Sequence, residues 1–187
     1  HGIYRVWTVE NRIRTLDLPL NDAARAAKVT WDSLLDDPQR GCRPLGMPGA
    51  MMSPHPIEIR ELGEDILIHL EEWNSMRIVY MGADGADAVA ASTPLGFSTG
   101  RWEGDVLIVT TTRIDYPYMD EHGTPQSDAV EVTERFSLGP DGRSLNWDAR
   151  VTDPGTLTEP VIAFTTLLEW IPGEVIQSYD CQELDPL

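Results

Sequence analysis

A tight turn between two β-prone runs is the feature that most constrains how this chain folds. Residues 100–105 read GRWEGD and are followed by the apolar and β-branched run Val106–Thr112. Glu103 and Gly104 supply the turn, because a glycine takes a positive φ without steric cost. The pattern therefore predicts one antiparallel hairpin over residues 94–114.

From residue 57 onward, apolar and polar residues alternate with the period of 2 that is typical of strands. Turn residues interrupt this alternation, for example at Gly63 and over residues 139–142. The pattern predicts a mainly β fold, an antiparallel meander that forms a barrel or strongly curved sheet of about 8–9 strands. The predicted strands cover residues 57–61, 65–73, 76–81, 95–102, 106–114, 128–138, 144–153, 162–170 and, as a last one, 175–179.

The first 56 residues have a different pattern. Residues 3–9 are β-branched and aromatic and predict a short first strand. Asn21 is placed to cap a helix and Asp22 favours its positive end, so one N-terminal α-helix is predicted over residues 22–35. The Gly- and Pro-rich residues 41–56 predict an irregular wrapping segment. The 187 residues thus predict a single domain, with 1–56 as strand, helix and wrapping loop and 57–187 as barrel body.

Charge restricts the partners of this chain. Asp and Glu number 31 against 14 Lys and Arg, a formal net charge of −17. Nucleic acids and anionic membranes both need a basic surface, so neither is predicted as a partner. No apolar run reaches the roughly 18 to 20 residues of a membrane-spanning helix. The predicted partner is a small apolar or aromatic molecule, and the sequence is also compatible with a homo-oligomer.

The two cysteines, Cys42 and Cys181, belong to no C-x-x-C or zinc spacing. One long-range disulfide is the simplest interpretation, and two unpaired buried cysteines are the alternative. Structural disulfides persist in oxidising compartments, so the first interpretation predicts a periplasmic or secreted protein. The chain begins with His1, which agrees with a removed export signal and equally with the remnant of a tag.

Several short motifs occur in a specific order between residues 42 and 160. They are C-R-P-L-G-M-P at 42–48, P-H-P-I-E at 54–58, R-I-V-Y-M at 77–81, G-R-W-E-G-D at 100–105, V-T-E-R-F at 132–136 and V-T-D-P at 151–154. On these motifs the chain resembles a widespread family of exported bacterial β-rich proteins. The resemblance implies export and a β-barrel-like body, and it implies no reaction. Gln126 stands where the family pattern has His before Ser127, which weakens a catalytic role for that loop.

Glu134 is the first candidate for chemistry. Within residues 130–136, the period of 2 places it on the same face as the apolar side chains, which is the predicted interior. A carboxylate in such surroundings must be paired, protonated or functional. We predict Glu134 as the acid or base of a cofactor-free reaction or, alternatively, as the partner of Arg77 or Arg101 in a structural ion pair.

Arg77 and His69 complete the predicted catalytic set. Arg77 would stabilise a developing oxyanion or neutralise Glu134, and His69 would assist the proton transfer. His69 and Glu71 share one face of the strand predicted at 65–73, and the sequence leaves open whether that face looks into a cavity or into solvent. An inward face would give a polar cluster in an apolar cup, as in many acid–base sites.

The predicted substrate-binding residues are Glu71, Arg101, Tyr116, Tyr118, His122 and Met51. The two tyrosines and His122 lie in the loop 115–128, where they would rim a pocket and stack on an aromatic ligand, or else form a plain turn. Met51 lies in the wrapping segment, either as core filler or as a soft lid over an apolar opening.

Three classes of function follow. The first is an exported barrel that encloses a small molecule in its cup and acts as a cofactor-free isomerase, lyase or hydrolase, and the second binds the same molecule without turnover. The third is a component of an envelope assembly, with a filled barrel and an exposed apolar patch at Trp7, Trp31 or Trp170. Copper binding through His1 and a second histidine is a further alternative. Zinc, calcium and nucleotide motifs are absent from the sequence, and no cofactor is predicted.

Overall fold

The computed structural model describes residues 2–82 and 91–182. Within these ranges nine strands form one closed barrel in chain order. The strands are β1 (Val6–Arg14), β2 (Ile57–Leu62), β3 (Asp65–Leu70), β4 (Ser75–Met81), β5 (Phe97–Glu103), β6 (Val106–Thr112), β7 (Glu131–Leu138), β8 (Ser144–Thr152) and β9 (Val161–Trp170), with helix α1 (Asp22–Thr30) between β1 and β2. The predicted mainly β barrel with one N-terminal helix is confirmed.

The predicted hairpin is the β5–β6 pair. Its register runs from Phe97↔Thr112 to Glu103↔Val106, and Gly104 in the turn has a φ of 61°. The local prediction is confirmed because two β-prone runs flank a residue that tolerates a positive φ.

The sheet departs from a pure meander at one place. Eight of the nine neighbouring strand pairs are antiparallel, whereas β4 and β5 run parallel. This parallel contact, which we call the seam, has only three residue pairs, from Val79↔Ser98 to Met81↔Gly100. Parallel neighbours cannot be joined by a two-residue hairpin, so turn chemistry did not predict this pairing.

Both ends of the chain differ from the predicted pattern. The side chain of Asn21 caps α1 as predicted, accepting the backbone N–H of Ala24 at 2.9 Å. The helix ends at Thr30 and not at Leu35, because Trp31 takes an extended conformation and packs edge-on against Tyr118. Residues 175–179, predicted as a last strand, are irregular.

The interior of the barrel is packed with side chains. Trp7, Trp147, Phe136 and Phe164 are all at most 1% exposed, and they share the core with apolar side chains from every side of the barrel. A small barrel has an interior just wide enough for its own side chains. The expected open cup is therefore wrong, since large aromatic residues fill that space.

A disulfide joins Cys42 to Cys181 across a separation of 139 residues, with the Cα atoms 5.8 Å apart. The predicted pairing is confirmed. It holds the C-terminal segment against the barrel, where Asn74 exchanges two hydrogen bonds with the backbone of Tyr179. The pairing fits a protein of an oxidising compartment. Among the described helices, none has the length and apolar character needed to cross a bilayer.

Candidate functional site

A buried ion pair lies inside the barrel between β4 and β7. Arg77 donates from Nη2 to Oε2 of Glu134 at 2.6 Å, and these residues are 4% and 0% exposed. Trp147 donates from Nε1 to Oε1 of Glu134 at 2.9 Å, and the Thr111 hydroxyl donates to Oε2 at 3.3 Å. Both carboxylate oxygens thus accept hydrogen bonds from the chain itself. The predicted inward position of Glu134 and its pairing with Arg77 are confirmed.

The sheet register explains why both charged side chains point inward. Arg77 stands opposite Ile68, a core residue of β3, and Glu134 stands between Val109 and Ala149 of the neighbouring strands. Residues opposite each other in a sheet share a face, so the apolar neighbours carry the two charges into the interior. Each charge alone would cost several kcal/mol to bury, so the two are stable there only as a pair.

Arg77 retains one donor that the described chain leaves without an acceptor. Its Nη1 lies 2.9 Å from the sulfur of Met47, which is a weak acceptor. Its Nε is buried and has no hydrogen-bond partner among the described residues. An unsatisfied buried N–H costs about 1 to 3 kcal/mol, so an acceptor atom that reached Nε would stabilise this arrangement.

Arg77 is one of the residues that line a cleft beside the seam. This seam cleft has a volume of about 520 Å³, and its buried polar residues are Arg77 and Ser98. Its walls are mainly apolar and include Pro44, Leu45, Met76, Ile78, Pro94, Leu95 and Phe97. The opening exists because β4 and β5 begin to pair only at Val79. Its volume falls in the range of small-molecule sites.

Ser98 connects the seam cleft to the same carboxylate. Its Oγ lies 2.9 Å from Oγ1 of Thr111, whose hydroxyl in turn reaches Oε2 of Glu134. The two buried polar residues of the cleft therefore both lead to Glu134, one directly and the other through a threonine. A chain of buried hydroxyls of this kind keeps every member in a defined orientation.

An aromatic pair forms part of the wall of the seam cleft. The rings of Tyr80 and Phe97 stack with centroids 5.2 Å apart and planes inclined by 22°. Arg113 lies over the Phe97 ring, with its guanidinium carbon 5.7 Å from the centroid. Tyr80 is 37% exposed, so part of its ring is available to an aromatic ligand.

The polar cluster predicted around Glu134 does not assemble. His69 stands opposite Glu58 and Met76, while its neighbour Ile68 faces the core, so His69 points to the outer face. Its Nε2 is buried there without a hydrogen-bond partner in the described ranges. Glu71 lies beside the imidazole of His55, with Nδ1 and Oε1 3.6 Å apart. The inward alternative for His69 and Glu71 is therefore wrong.

Two more predicted binding residues lie away from the seam cleft. The side chain of Arg101 is 62% exposed and forms an ion pair with Glu103 at 2.7 Å, so it does not neutralise Glu134. Met51 is only 4% exposed and belongs to the hydrophobic core, which matches the core-filler alternative. Their predicted contact with a ligand has no support in this arrangement.

The tyrosines of the 115–128 loop are packed against the body. Tyr116 is 9% exposed, and its ring meets that of Tyr118 edge-on at 6.3 Å. Burial, with a smaller contribution from Asp37, raises the pKa of the Tyr116 phenol to about 12. Its hydroxyl finds no hydrogen-bond partner within the described chain. Tyr116 is thus part of the core and not of a pocket rim.

A second cleft, of about 210 Å³, includes His122 in its lining. It also contains Arg12, Arg14 and the carboxylates of Glu72 and Glu121. Charges of both signs are present, and none of the lining side chains that the structure describes has a buried polar atom without a partner. The seam cleft is larger and is lined by a residue with an unsatisfied donor, so we take it as the candidate site.

The wrapping segment supplies residues whose roles the sequence did not indicate. Met47 places its sulfur on Arg77 while its backbone N–H donates to the carbonyl of Pro94 at 2.9 Å. Gln126 donates from Nε2 to the carbonyls of Met47 at 3.0 Å and Tyr116 at 2.8 Å. Gln126 therefore holds the wrapping segment beside the seam.

One sequence signal could have identified Ser98 and Thr111. Thr111 lies in the same period-2 register as Leu107 and Val109, which are core residues. Within the predicted hairpin, Ser98 stands directly opposite Thr111. Two hydroxyls facing each other on an inward face predict a buried hydrogen bond.

Known metal and family signatures do not explain this site. In residues 2–82 and 91–182, no three His, Cys, Asp or Glu side chains group closely enough to hold a metal ion. His1 lies outside the described residues, so the copper alternative stays a prediction.

Comparison with protein-family models and with curated protein sequences finds no match for this chain. Fold and site therefore define a disulfide-linked barrel with a filled core and a lateral cleft.

Proposed function

We propose that this protein is an exported binding protein that holds a small apolar or aromatic molecule in the seam cleft. One observation carries the proposal: Arg77 lines a cleft of about 520 Å³ with mainly apolar walls, and its buried Nε has no acceptor in the described chain. Ligand sites in proteins typically combine apolar walls with a few well-placed polar groups. A bound molecule with an acceptor atom would satisfy the free donor.

Export belongs to the same proposal. The disulfide between Cys42 and Cys181 supports a periplasmic or secreted location, because such bonds persist in oxidising compartments. The motifs that resemble an exported bacterial β-rich family agree with it. Three of them touch this region of the molecule, since Pro44, Leu45 and Arg77 line the cleft and Glu134 binds Arg77.

Binding without turnover accounts for Glu134 better than catalysis does. A general base must come within hydrogen-bond reach of the proton that it removes, directly or through one water. Glu134 is fully buried, and Arg77, Trp147 and Thr111 occupy its two oxygens. The contacts support a structural role, in which Glu134 holds Arg77 in place.

A cofactor-free acid–base enzyme is the second candidate, and one observation favours it. The hydroxyls of Ser98 and Thr111 lead from the seam cleft to Oε2 of Glu134, a path along which a proton can move. In that case Glu134→Gln abolishes turnover and keeps ligand binding. In a pure binding protein the same variant lowers stability and weakens ligand binding, because Glu134 holds Arg77 in place.

A component of an envelope assembly is less well supported. That class predicts a filled barrel, which is present, together with exposed tryptophans. Trp7 is fully buried, and Trp31 and Trp170 are half-buried. Trp170 also stacks under the guanidinium of Arg5, whose carbon lies 4.2 Å from the ring centroid. None of these three tryptophans offers the expected patch.

The proposal is tested with a neutral fluorescent probe, N-phenyl-1-naphthylamine, titrated into three proteins. Ile78→Trp fills the cleft from its wall, and Leu62→Trp makes the same change at a 44% exposed position of β2. We expect saturable binding by the wild type and by Leu62→Trp, and a loss of about tenfold or more in Ile78→Trp, equivalent to about 1.4 kcal/mol. Absence of binding to the wild type contradicts the function, and equal binding to all three contradicts the site.

A further inference from the structure

We infer that the molecule held in the seam cleft is electrically neutral and presents a carbonyl-type oxygen to Nε of Arg77. This inference rests on the proposed function and adds the chemical class of the ligand. It follows from the charge balance of the cleft, from the direction of its hydrogen bonds and from the nature of its walls.

Among the described lining residues, the seam cleft carries no uncompensated positive charge. Arg77 is the only charged residue among the described lining residues, and its charge is opposed by Glu134 at 2.6 Å. Arg113 is near the wall, but its guanidinium lies over the Phe97 ring and outside the lining. A carboxylate ligand would place a second anion beside Glu134 with no further lining cation, which is costly in a partly desolvated site.

The charge of the whole chain acts in the same direction. A formal net charge of −17 gives the molecule a negative potential that disfavours the approach of anions. A cation would leave water for mainly apolar walls with no lining carboxylate among the described residues to pair with, which is costly. A neutral molecule avoids both penalties.

The hydrogen bonds of the cleft have a definite direction. The Thr111 hydroxyl donates its one proton to Glu134, so in the contact with Ser98 it accepts and Ser98 donates. The Ser98 proton is therefore committed, and Nε of Arg77 remains as a buried donor without an acceptor among the described residues. A ligand that satisfies this donor must bring an acceptor, and a ketone, aldehyde, ester or amide oxygen does so without adding charge.

The walls of the seam cleft indicate what kind of molecule carries the carbonyl oxygen. Apart from Arg77, the lining is formed by apolar side chains, small hydroxyl residues and the stacked pair of Tyr80 and Phe97. Such walls favour an aromatic or alicyclic body. A neutral aromatic carbonyl compound matches the polar and the apolar parts of the cleft together.

Three naphthalenes of similar size test this inference by displacing N-phenyl-1-naphthylamine from the wild-type protein. We expect 2-acetylnaphthalene to bind about fivefold more tightly than 2-ethylnaphthalene, the gain of one net hydrogen bond, and 2-naphthoate to bind most weakly. Equal affinity of the ketone and the hydrocarbon, or strongest binding of the naphthoate, overturns the inference while the seam cleft stands as a site. Failure of the probe itself to bind overturns the proposed function.

A spectroscopic measurement locates the hydrogen bond. In the wild type, the ¹⁵Nε–¹Hε resonance of Arg77 is expected to shift with 2-acetylnaphthalene and to stay in place with 2-ethylnaphthalene, because only the ketone provides an acceptor. Arg77→Lys keeps the charge opposite Glu134 and removes Nε. This variant should therefore bind 2-acetylnaphthalene and 2-ethylnaphthalene with about equal affinity. An unshifted Arg77 resonance on ketone binding overturns the inference even if the lysine variant does not fold.

Discussion

The wall formed by β6 to β9 and the seam between β4 and β5 close the same barrel in different ways. In the wall, β7 and β8 pair over eight residues without a break, from Glu131↔Thr152 to Leu138↔Leu145. The seam has three residue pairs. A long antiparallel ladder leaves no opening between its strands, whereas β4 and β5 begin to pair only at Val79 and Ser98, and the seam cleft lies beside the unpaired residues before them.

The seam side needs support that the wall does not. The wrapping segment binds it through Met47, whose sulfur contacts Arg77 and whose N–H donates to Pro94. The disulfide fixes the start of this segment at Cys42. The ion pair with Glu134 then ties β4 to the wall from inside the barrel. Side-chain contacts thus replace the backbone hydrogen bonds that the seam lacks. The same contacts position the polar groups of the site.

Removing the disulfide should lower the free energy of unfolding more than the other two changes. It should also increase opening of the seam side before that of the wall. In the chain-entropy model, a loop of this length contributes about 5 kcal/mol, so we expect Cys42→Ser with Cys181→Ser to lose about 4 to 5 kcal/mol of unfolding free energy. Urea denaturation measures the loss. Amide hydrogen exchange should rise over β4 and residues 42–48 before it rises in β7 and β8.

Reduction of the wild-type protein is the control, and it should reproduce both changes. Faster exchange that is uniform over the barrel would show that the disulfide acts on the unfolded chain alone. In that case the seam does not depend on local support from the wrapping segment.

Breaking the ion pair between Arg77 and Glu134 should give the second-largest loss in the free energy of unfolding. Glu134→Gln leaves the Arg77 charge without its counter-ion inside the barrel, so we expect a loss of about 3 kcal/mol in unfolding free energy. The matched control is Glu131→Gln on the same strand, at an exposed position, which should change stability by less than about 0.5 kcal/mol. Equal unfolding curves for the two variants would contradict the structural role of the pair and strengthen the acid–base alternative.

Tyr116→Phe should change the free energy of unfolding least of the three, and it should raise it. The variant removes a buried hydroxyl that has no partner in the described chain, so we expect it to gain about 1 kcal/mol at neutral pH. The folded pKa of about 12 exceeds the ordinary value of 10. Wild-type stability is thus intact below pH 10 and falls as the pH rises from 10 towards 12, because the unfolded chain ionises first.

Thermal unfolding as a function of pH checks this prediction. The Tyr116→Phe protein should show a smaller decrease in Tm above pH 10 than the wild type. Tyr80→Phe, at a 37% exposed position, serves as the control and should leave Tm at neutral pH nearly unchanged. A lower Tm for Tyr116→Phe at neutral pH would indicate that the hydroxyl has a partner.

Predictions based on neighbouring residues were the most accurate. The Gly104 turn and the Asn21 cap depend on a few adjacent residues, and both occur as predicted. The inward position of Glu134 also follows from the alternation within a single strand. The helix end at Thr30 was not predictable in this way, because the packing of Trp31 against Tyr118 joins distant parts of the chain.

The candidate site was predicted only in part. Arg77 and Glu134 were identified together, because a buried carboxylate requires a partner. His69 was grouped with them wrongly, since alternation divides a strand into two faces and the pairing of Ile68 with Arg77 decides which face is inward. Ser98 was not proposed as a site residue, because its place in the cleft depends on where the parallel seam begins.

The sequence alone determined the elements of this barrel, because turns, caps and the period of 2 are properties of short stretches of chain. The tertiary structure decided where the strands fail to pair. The three-residue seam brings Met47, Arg77 and Ser98 together from three separate segments, and distant contacts of this kind carry no local signal. The cleft and its free donor exist only once the barrel has closed.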